Sequence, residues 1–201
     1  MRGRVTDNHR FLLRLHLDQV DSIQRATRRL NGKLEQRLEP FREHVDRLTD
    51  IPGVSTVIAS VIIAEVGLDM TRFPTQHHLI SWAGLGPRLD ESASKSRSRH
   101  IRRGNPWLKV DLTQAVMAAR RAKQSYLRAQ FNRLAARRGV KKAVVAVAAS
   151  ILTSAYFILR DGVTYRDLGP DYLDRRDPGN VARRLAKRIE ARVFVELRPA
   201  A

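Results

Sequence analysis

The stretch with the clearest chemical capacity runs from Ser81 to Lys109, SWAGLGPRLDESASKSRSRHIRRGNPWLK. Ser92, Ser94, Ser96 and Ser98 alternate along it, and from Ser92 through Lys109 stand six Lys or Arg residues and no acid. A serine hydroxyl can attack phosphorus and hold the resulting ester, while nearby cations offset the charge that builds on the phosphate oxygens. Unaided, that hydroxyl is a weak nucleophile, and the motif contains no partner base. Lys95, Arg97, Arg102 and Arg103 can balance phosphate charge but cannot supply a metal site. By composition alone the same residues also describe a solvated basic linker. Two features would fix the ends of the stretch. One is the Gly84-Leu85-Gly86-Pro87 turn; the other is Asn105-Pro106, a helix N-cap followed by proline at the first helical position.

The charge around this stretch is localised. Residues 92–142 hold fifteen Lys or Arg and one acid, Asp111, within a chain of 201 residues and net charge +18. A face of this kind fits nucleic acid or an anionic membrane. No apolar run approaches the ~20 residues of a membrane span, and the N-terminus carries no signal-peptide pattern. The expectation is a soluble, intracellular protein with no membrane partner. Hydrophobic residues at 43% suffice for a core. The chain has no cysteine, which excludes a thiol nucleophile, disulfides and a zinc finger. No metal ligands are assigned: His77 and His78 are adjacent and point apart, with no third ligand at a useful spacing. Tyr126 lacks the Arg/His constellation of a tyrosine recombinase. Trp82 and Trp107 read as core or loop anchors.

The pattern positioning these residues is helical throughout, so the fold class is all-α or nearly so. Leu13, Leu17, Val20, Ile23, Leu30, Leu34, Leu38, Phe41, Val45 and Leu48 recur at spacings of three and four, or their sum of seven. They form the stripe of one long amphipathic helix, or of a helical hairpin broken at Asn31-Gly32 or Pro40. The stripe suits a coiled-coil partner and a core within one subunit equally. Residues 48–67 read as a helix-hairpin-helix: Ile51-Pro52-Gly53-Val54 turns, Ser55 or Thr56 caps the second helix, and Gly67 ends it. Such a hairpin contacts phosphate without reading bases, which nominates Gly53, Ser55 and Thr56 as nucleic-acid contacts. Lys95, Arg97, Arg99, Arg102, Arg103 and Lys109 join them from the basic loop. Residues 75–83 predict a short capped helix, 106–138 one continuous helix, 141–159 a buried core helix, and 180–192 a charged helix. Val193 to Leu197 alternates like a strand. The domains expected are a coiled-coil-like segment (1–47), a helical domain with the hairpin and serine loop (48–164), and a tail (165–201).

The order of these motifs adds a resemblance. IPGVS, AEVGLDMTRFPTQHHLISWAGLGPRLDESASKSRSRHIRRGNPWLK, YLRAQFNRLAARRGVKKAVVAVAASIL and DLGPDYLDRR, in sequence, resemble the C-terminal half of the insertion-sequence 110/116/902 transposase family. The resemblance covers about residues 8 to 190. It implies a DNA transposase using serine-mediated strand exchange, with a structured RNA as guide. Glu91-Ser92-Ala93-Ser94-Lys95 matches the family's serine motif, which makes Ser92 the catalytic nucleophile. The resemblance further implies dimers or tetramers joined through the N-terminal helices, and a bacterial, nucleoid-associated protein of the cytoplasm.

Three departures accompany it. Ser94 stands where the family pattern has glycine, which restricts the loop backbone. Ala149 stands where the resemblance leads one to expect a histidine before Ser150. The family's N-terminal RuvC-like α/β domain, whose acids hold Mg²⁺, has no counterpart in residues 1–50, so the chain reads as a fragment with no cofactor of its own and no activity alone. The alternative is a non-catalytic nucleic-acid-binding remnant that uses the helix-hairpin-helix and the basic face only.

Overall fold

A computed structural model describes residues 5–86, 91–92, 95–96 and 103–196. The chain divides into two compact units, Met1–Glu43 and His44–Ala201.

The first unit is one uninterrupted helix, α1 (Asp7–Leu38), followed by a 3₁₀ turn at Glu39–Phe41. Thr6 and His9 form a reciprocal capping box, Asp7 lies in the first turn and Arg37 in the last, so both ends complement the helix dipole. Asn31-Gly32 does not break the helix; α1 gives way to the 3₁₀ segment at Pro40 instead. No residue of α1 is buried. Leu13, Leu17, Val20, Ile23, Leu30 and Leu34 are exposed, so the predicted stripe is present but not covered.

The second unit begins within α2 (Arg42–Thr49), whose Val45 and Leu48 are buried. Helix α3 (Thr56–Val66) starts at Ser55, whose hydroxyl accepts from the Ile58 amide, and stops at Gly67 with φ +80°. Then come α4 (Gln76–Trp82), α5 (Pro106–Ala119), α6 (Tyr126–Arg138), α7 (Val140–Asp161), α8 (Tyr172–Arg175) and α9 (Pro178–Glu196). Two two-residue strands, β1 (Glu91–Ser92) and β2 (Lys95–Ser96), pair only with each other, so the described fold is all-α in its architecture.

Helix α7 is the hub, packing on α4, α5 and α6, while α3 packs on α5. Its face of Val144, Val147, Ile151, Leu152, Tyr156 and Leu159 is buried, and full burial of such side chains is worth about 1.5–3 kcal/mol each. The Tyr156 hydroxyl donates to the Phe73 carbonyl at 3.0 Å, which satisfies the polar group of that buried ring. At 22 residues α7 is longer than its sequence pattern suggested, and among the described helices it alone has the length and composition of a membrane span. Its buried face is core.

Two expectations are corrected. Residues 106–138 are two helices: the chain turns over Arg120–Ser125, with Gln124 in a left-handed conformation at φ +62° and Ser125 capping α6. No Gly or Pro marks that turn; the Ser125 cap does, and Leu127 and Phe131 are buried beyond it. The strand-like alternation at 193–196 is absorbed into α9, which runs to Glu196.

Candidate serine loop and cationic surface

The two feet of the serine segment are locked together by backbone contact. On the outgoing side α4 ends in a tight turn, with the Gly84 amide on the Ser81 carbonyl and the Leu85 amide on the Ile80 carbonyl, both at 3.0 Å. Leu85 is buried and anchors this foot. On the returning side Gly104 adopts φ +52°, and its Cα lies so close that a Cβ would fall 2.4 Å from the Ala83 carbonyl oxygen. Only glycine meets both conditions. The next residue ties the foot to the body of the fold. Asn105 Oδ1 accepts from the Leu108 amide at 3.1 Å, capping α5, and its Nδ2 donates to Glu65 Oε2 at the end of α3.

Within the segment the described residues form β1 and β2. They run antiparallel with Glu91 opposite Ser96 and Ser92 opposite Lys95. The proposed nucleophile position is therefore the direct cross-strand neighbour of the first lysine of the basic run. Arg97, Arg99 and Arg102 lie outside the described residues, as does Ser94.

The other nominated contacts are placed as follows. Arg103 is exposed, and its carbonyl accepts from Lys109 Nζ. Lys109 thus folds back on the loop's own backbone, and partial burial holds its ammonium below the ordinary lysine pKa. Ser55 caps α3 and Thr56 is exposed beside it. Gly53 has φ +91°, and a Cβ there would meet the Ala115 carbonyl at 2.2 Å and the Ala119 amide at 2.6 Å. The close approach that Gly53 permits is to the last turn of α5, not to open solvent. Trp82 packs on Phe73 with ring centroids 5.6 Å apart. Trp107 is 72% exposed at the start of α5 and is no anchor. His78 Nδ1 pairs with the Thr75 hydroxyl at 2.9 Å.

Features the sequence did not reveal cluster at the start of α6. Asp167 accepts from the Tyr126 amide at 2.9 Å, the Gly169 amide at 2.7 Å and the Tyr165 hydroxyl at 3.3 Å. Burial first, and then the Asp167 carboxylate, push the Tyr165 phenol up in pKa; burial does the same to Tyr126. These tyrosines border a cleft of about 350 Å³ whose other wall carries Ser150, Thr153, Ser154 and Phe157 of α7. Ala149, one residue before Ser150, offers only its carbonyl, to Thr153. Among the described residues no three His, Asp or Glu side chains converge, so these residues do not fit a divalent metal site.

Comparison with known proteins adds two findings. Residues 45–132 match the family described as Transposase IS116/IS110/IS902 family. Over 125 residues the chain is 34% identical to the "Insertion element IS110 uncharacterized 43.6 kDa protein" of Streptomyces coelicolor, an alignment covering 61% of this chain and 30% of that relative.

Proposed function

Because residues 45–132 match the IS116/IS110/IS902 transposase family, we propose that this chain supplies the serine-bearing, DNA-binding part of an insertion-sequence transposase. The observation that carries the reading is the mounting of Ser92: a two-residue ladder opposite Lys95, on a segment whose feet are fixed by Gly104 against Ala83 and Asn105 against Glu65. A nucleophile must be held within reach of its phosphorus, and backbone pairing opposite Lys95 is a hold of that kind.

The reaction balances as a transesterification. The Ser92 oxygen forms a bond to phosphorus, one phosphodiester P–O bond breaks, and the displaced deoxyribose oxygen takes up a proton while the serine hydroxyl gives one up. Attack by a hydroxyl of a second strand reverses these steps, forming the new phosphodiester and restoring the serine. The ester conserves the bond energy that rejoining needs. Arg103 and the basic residues after Ser92 would offset the phosphate charge. Any metal would need ligands from outside the described residues, and no step here runs through one. A guide RNA would select the DNA, as the family resemblance implies. A second copy would cover the exposed apolar stripe of α1, which otherwise leaves Leu17, Ile23 and Leu30 in water.

A second reading, nucleic-acid binding without catalysis, draws on Ser94 in place of the family's glycine. Peptide mass spectrometry separates the two. The full chain would be incubated with nicked duplex, Mg²⁺ and a supplied metal-binding domain of the family, and the peptide spanning Glu91–Lys95 examined. A nucleotide on Ser92 supports the first reading; adducts on other residues, or none, leave the second.

A further inference from the structure

Among the described residues of the second unit, the helix–glycine–helix turns at Gly53 and Gly139 differ in what surrounds the glycine. At Gly53 the space a Cβ would occupy is filled by the backbone of α5. At Gly139, between α6 and α7, nothing lies within 4 Å of that space, although φ is +84° and ψ 159°, a conformation open essentially to glycine alone. The open turn is flanked by Arg137 and Arg138 on one side and Lys141 and Lys142 on the other. All four are exposed, and none is paired with a carboxylate among the described residues. The chain contains no acid from Leu112 to Arg160, so no sequence neighbour offsets them either. Arg137 and Arg138 suit the C-terminal end of α6, but Lys141 and Lys142 occupy the first turn of α7, where the helix dipole disfavours cations. Helix stability therefore does not account for the two lysines.

We propose that the α6–α7 turn is a second DNA contact, gripping the duplex backbone through Arg137, Arg138, Lys141 and Lys142 around the open Gly139. A polyanion backbone can pair these cations, and four of them within six residues can reach neighbouring phosphates without reading bases. The inference rests on the proposed role in DNA transactions and adds a surface to it. It places the phosphate-contacting hairpin at Gly139, not at the enclosed Gly53.

The test is fluorescence anisotropy of the full chain on a short labelled duplex across a salt series, with Lys141→Glu/Lys142→Glu as the variant. Acids in the first turn of α7 suit the dipole, so the thermal midpoint should hold or rise while affinity falls by about tenfold or more and the slope of log K against log salt drops by roughly two. That opposite movement cannot come from misfolding. Arg120→Glu/Arg121→Glu, at the α5–α6 turn, makes the same change of four charges and should weaken binding less. Equal losses from both variants would overturn the surface in favour of general charge. Unchanged affinity in the glutamate variant would also overturn it, while leaving the DNA-binding reading intact. A loss confined to structured RNA would overturn the DNA assignment. If the unsubstituted chain binds no DNA, the functional reading fails and takes this surface with it.

Discussion

Gly104 presses against Ala83 so closely that a Cβ would sit 2.4 Å from the Ala83 carbonyl oxygen and 2.5 Å from the Gly84 nitrogen. The contact joins residues that flank the serine segment, and its atoms are backbone, which cannot swing aside. Gly104→Ala is expected to destabilise the second unit by about 2–4 kcal/mol through overpacking and strain at positive φ. For a chain of this size that lowers the thermal midpoint by several degrees, at about 2–4 °C per kcal/mol. A midpoint within one degree or so of the unsubstituted chain would show that the feet are not locked as described.

Asn105 serves two partners, the amide of Leu108 and the carboxylate of Glu65. Asn105→Ala loses the cap and leaves Glu65 without that donor, an expected cost of about 1–2 kcal/mol. Asn105→Ser keeps a capping oxygen but gives up the Nδ2 donor, so its loss in chemical denaturation should be roughly half as large. If the two variants are equally unstable, the Glu65 link contributes nothing.

Gln124 holds φ +62° without being glycine. Left-handed backbone costs an ordinary residue about 1–2 kcal/mol, part of which glycine returns as unfolded-state entropy. Gln124→Gly should therefore stabilise the chain by about 0.5–1 kcal/mol, read as a higher denaturant midpoint. A lower midpoint would mean that the side chain makes contacts outweighing its strain.

The tyrosine pair beside Asp167 makes stability fall in alkali. Because burial raises the folded-state pKa of Tyr165 and Tyr126, the unfolded chain ionises first. Their contribution is complete below the unfolded value near pH 10 and is lost as pH climbs towards the folded one. Urea midpoints measured between pH 8 and 11 should decline more gently in Tyr165→Phe than in the unsubstituted chain. Identical slopes would remove Tyr165 from the account.

Much of the scaffold was legible because its signals are local. Ser55, Gly67 and Asn105 announce helix ends through side-chain chemistry, and the apolar spacing in 141–159 predicts a core helix that the structure extends to Val140–Asp161. The turn at 120–125 escaped notice because a buried Ser125 and a strained Gln124 mark it, with no Gly or Pro. The alternation at 193–196 suggested a strand, yet those residues simply continue the helix begun at Pro178. The site was less legible than the scaffold. Ser92 stands out only through its motif, whereas the contacts that fix its segment, Gly104 on Ala83 and Asn105 on Glu65, join residues twenty to forty positions apart. Gly53 shows the converse: its sequence context suggested an open phosphate-facing turn, and only the fold reveals α5 in that space.

The central claim, a nucleophilic Ser92, is tested most directly by covalent trapping. The full chain and its Ser92→Ala variant would be incubated with end-labelled nicked duplex, Mg²⁺ and a supplied metal-binding domain of the family, then separated on a denaturing gel. A labelled protein–DNA band is expected from the unsubstituted chain and none from the variant, while both chains bind the duplex equally in anisotropy. A band that survives Ser92→Ala, or binding with no band in any mixture, would contradict the claim.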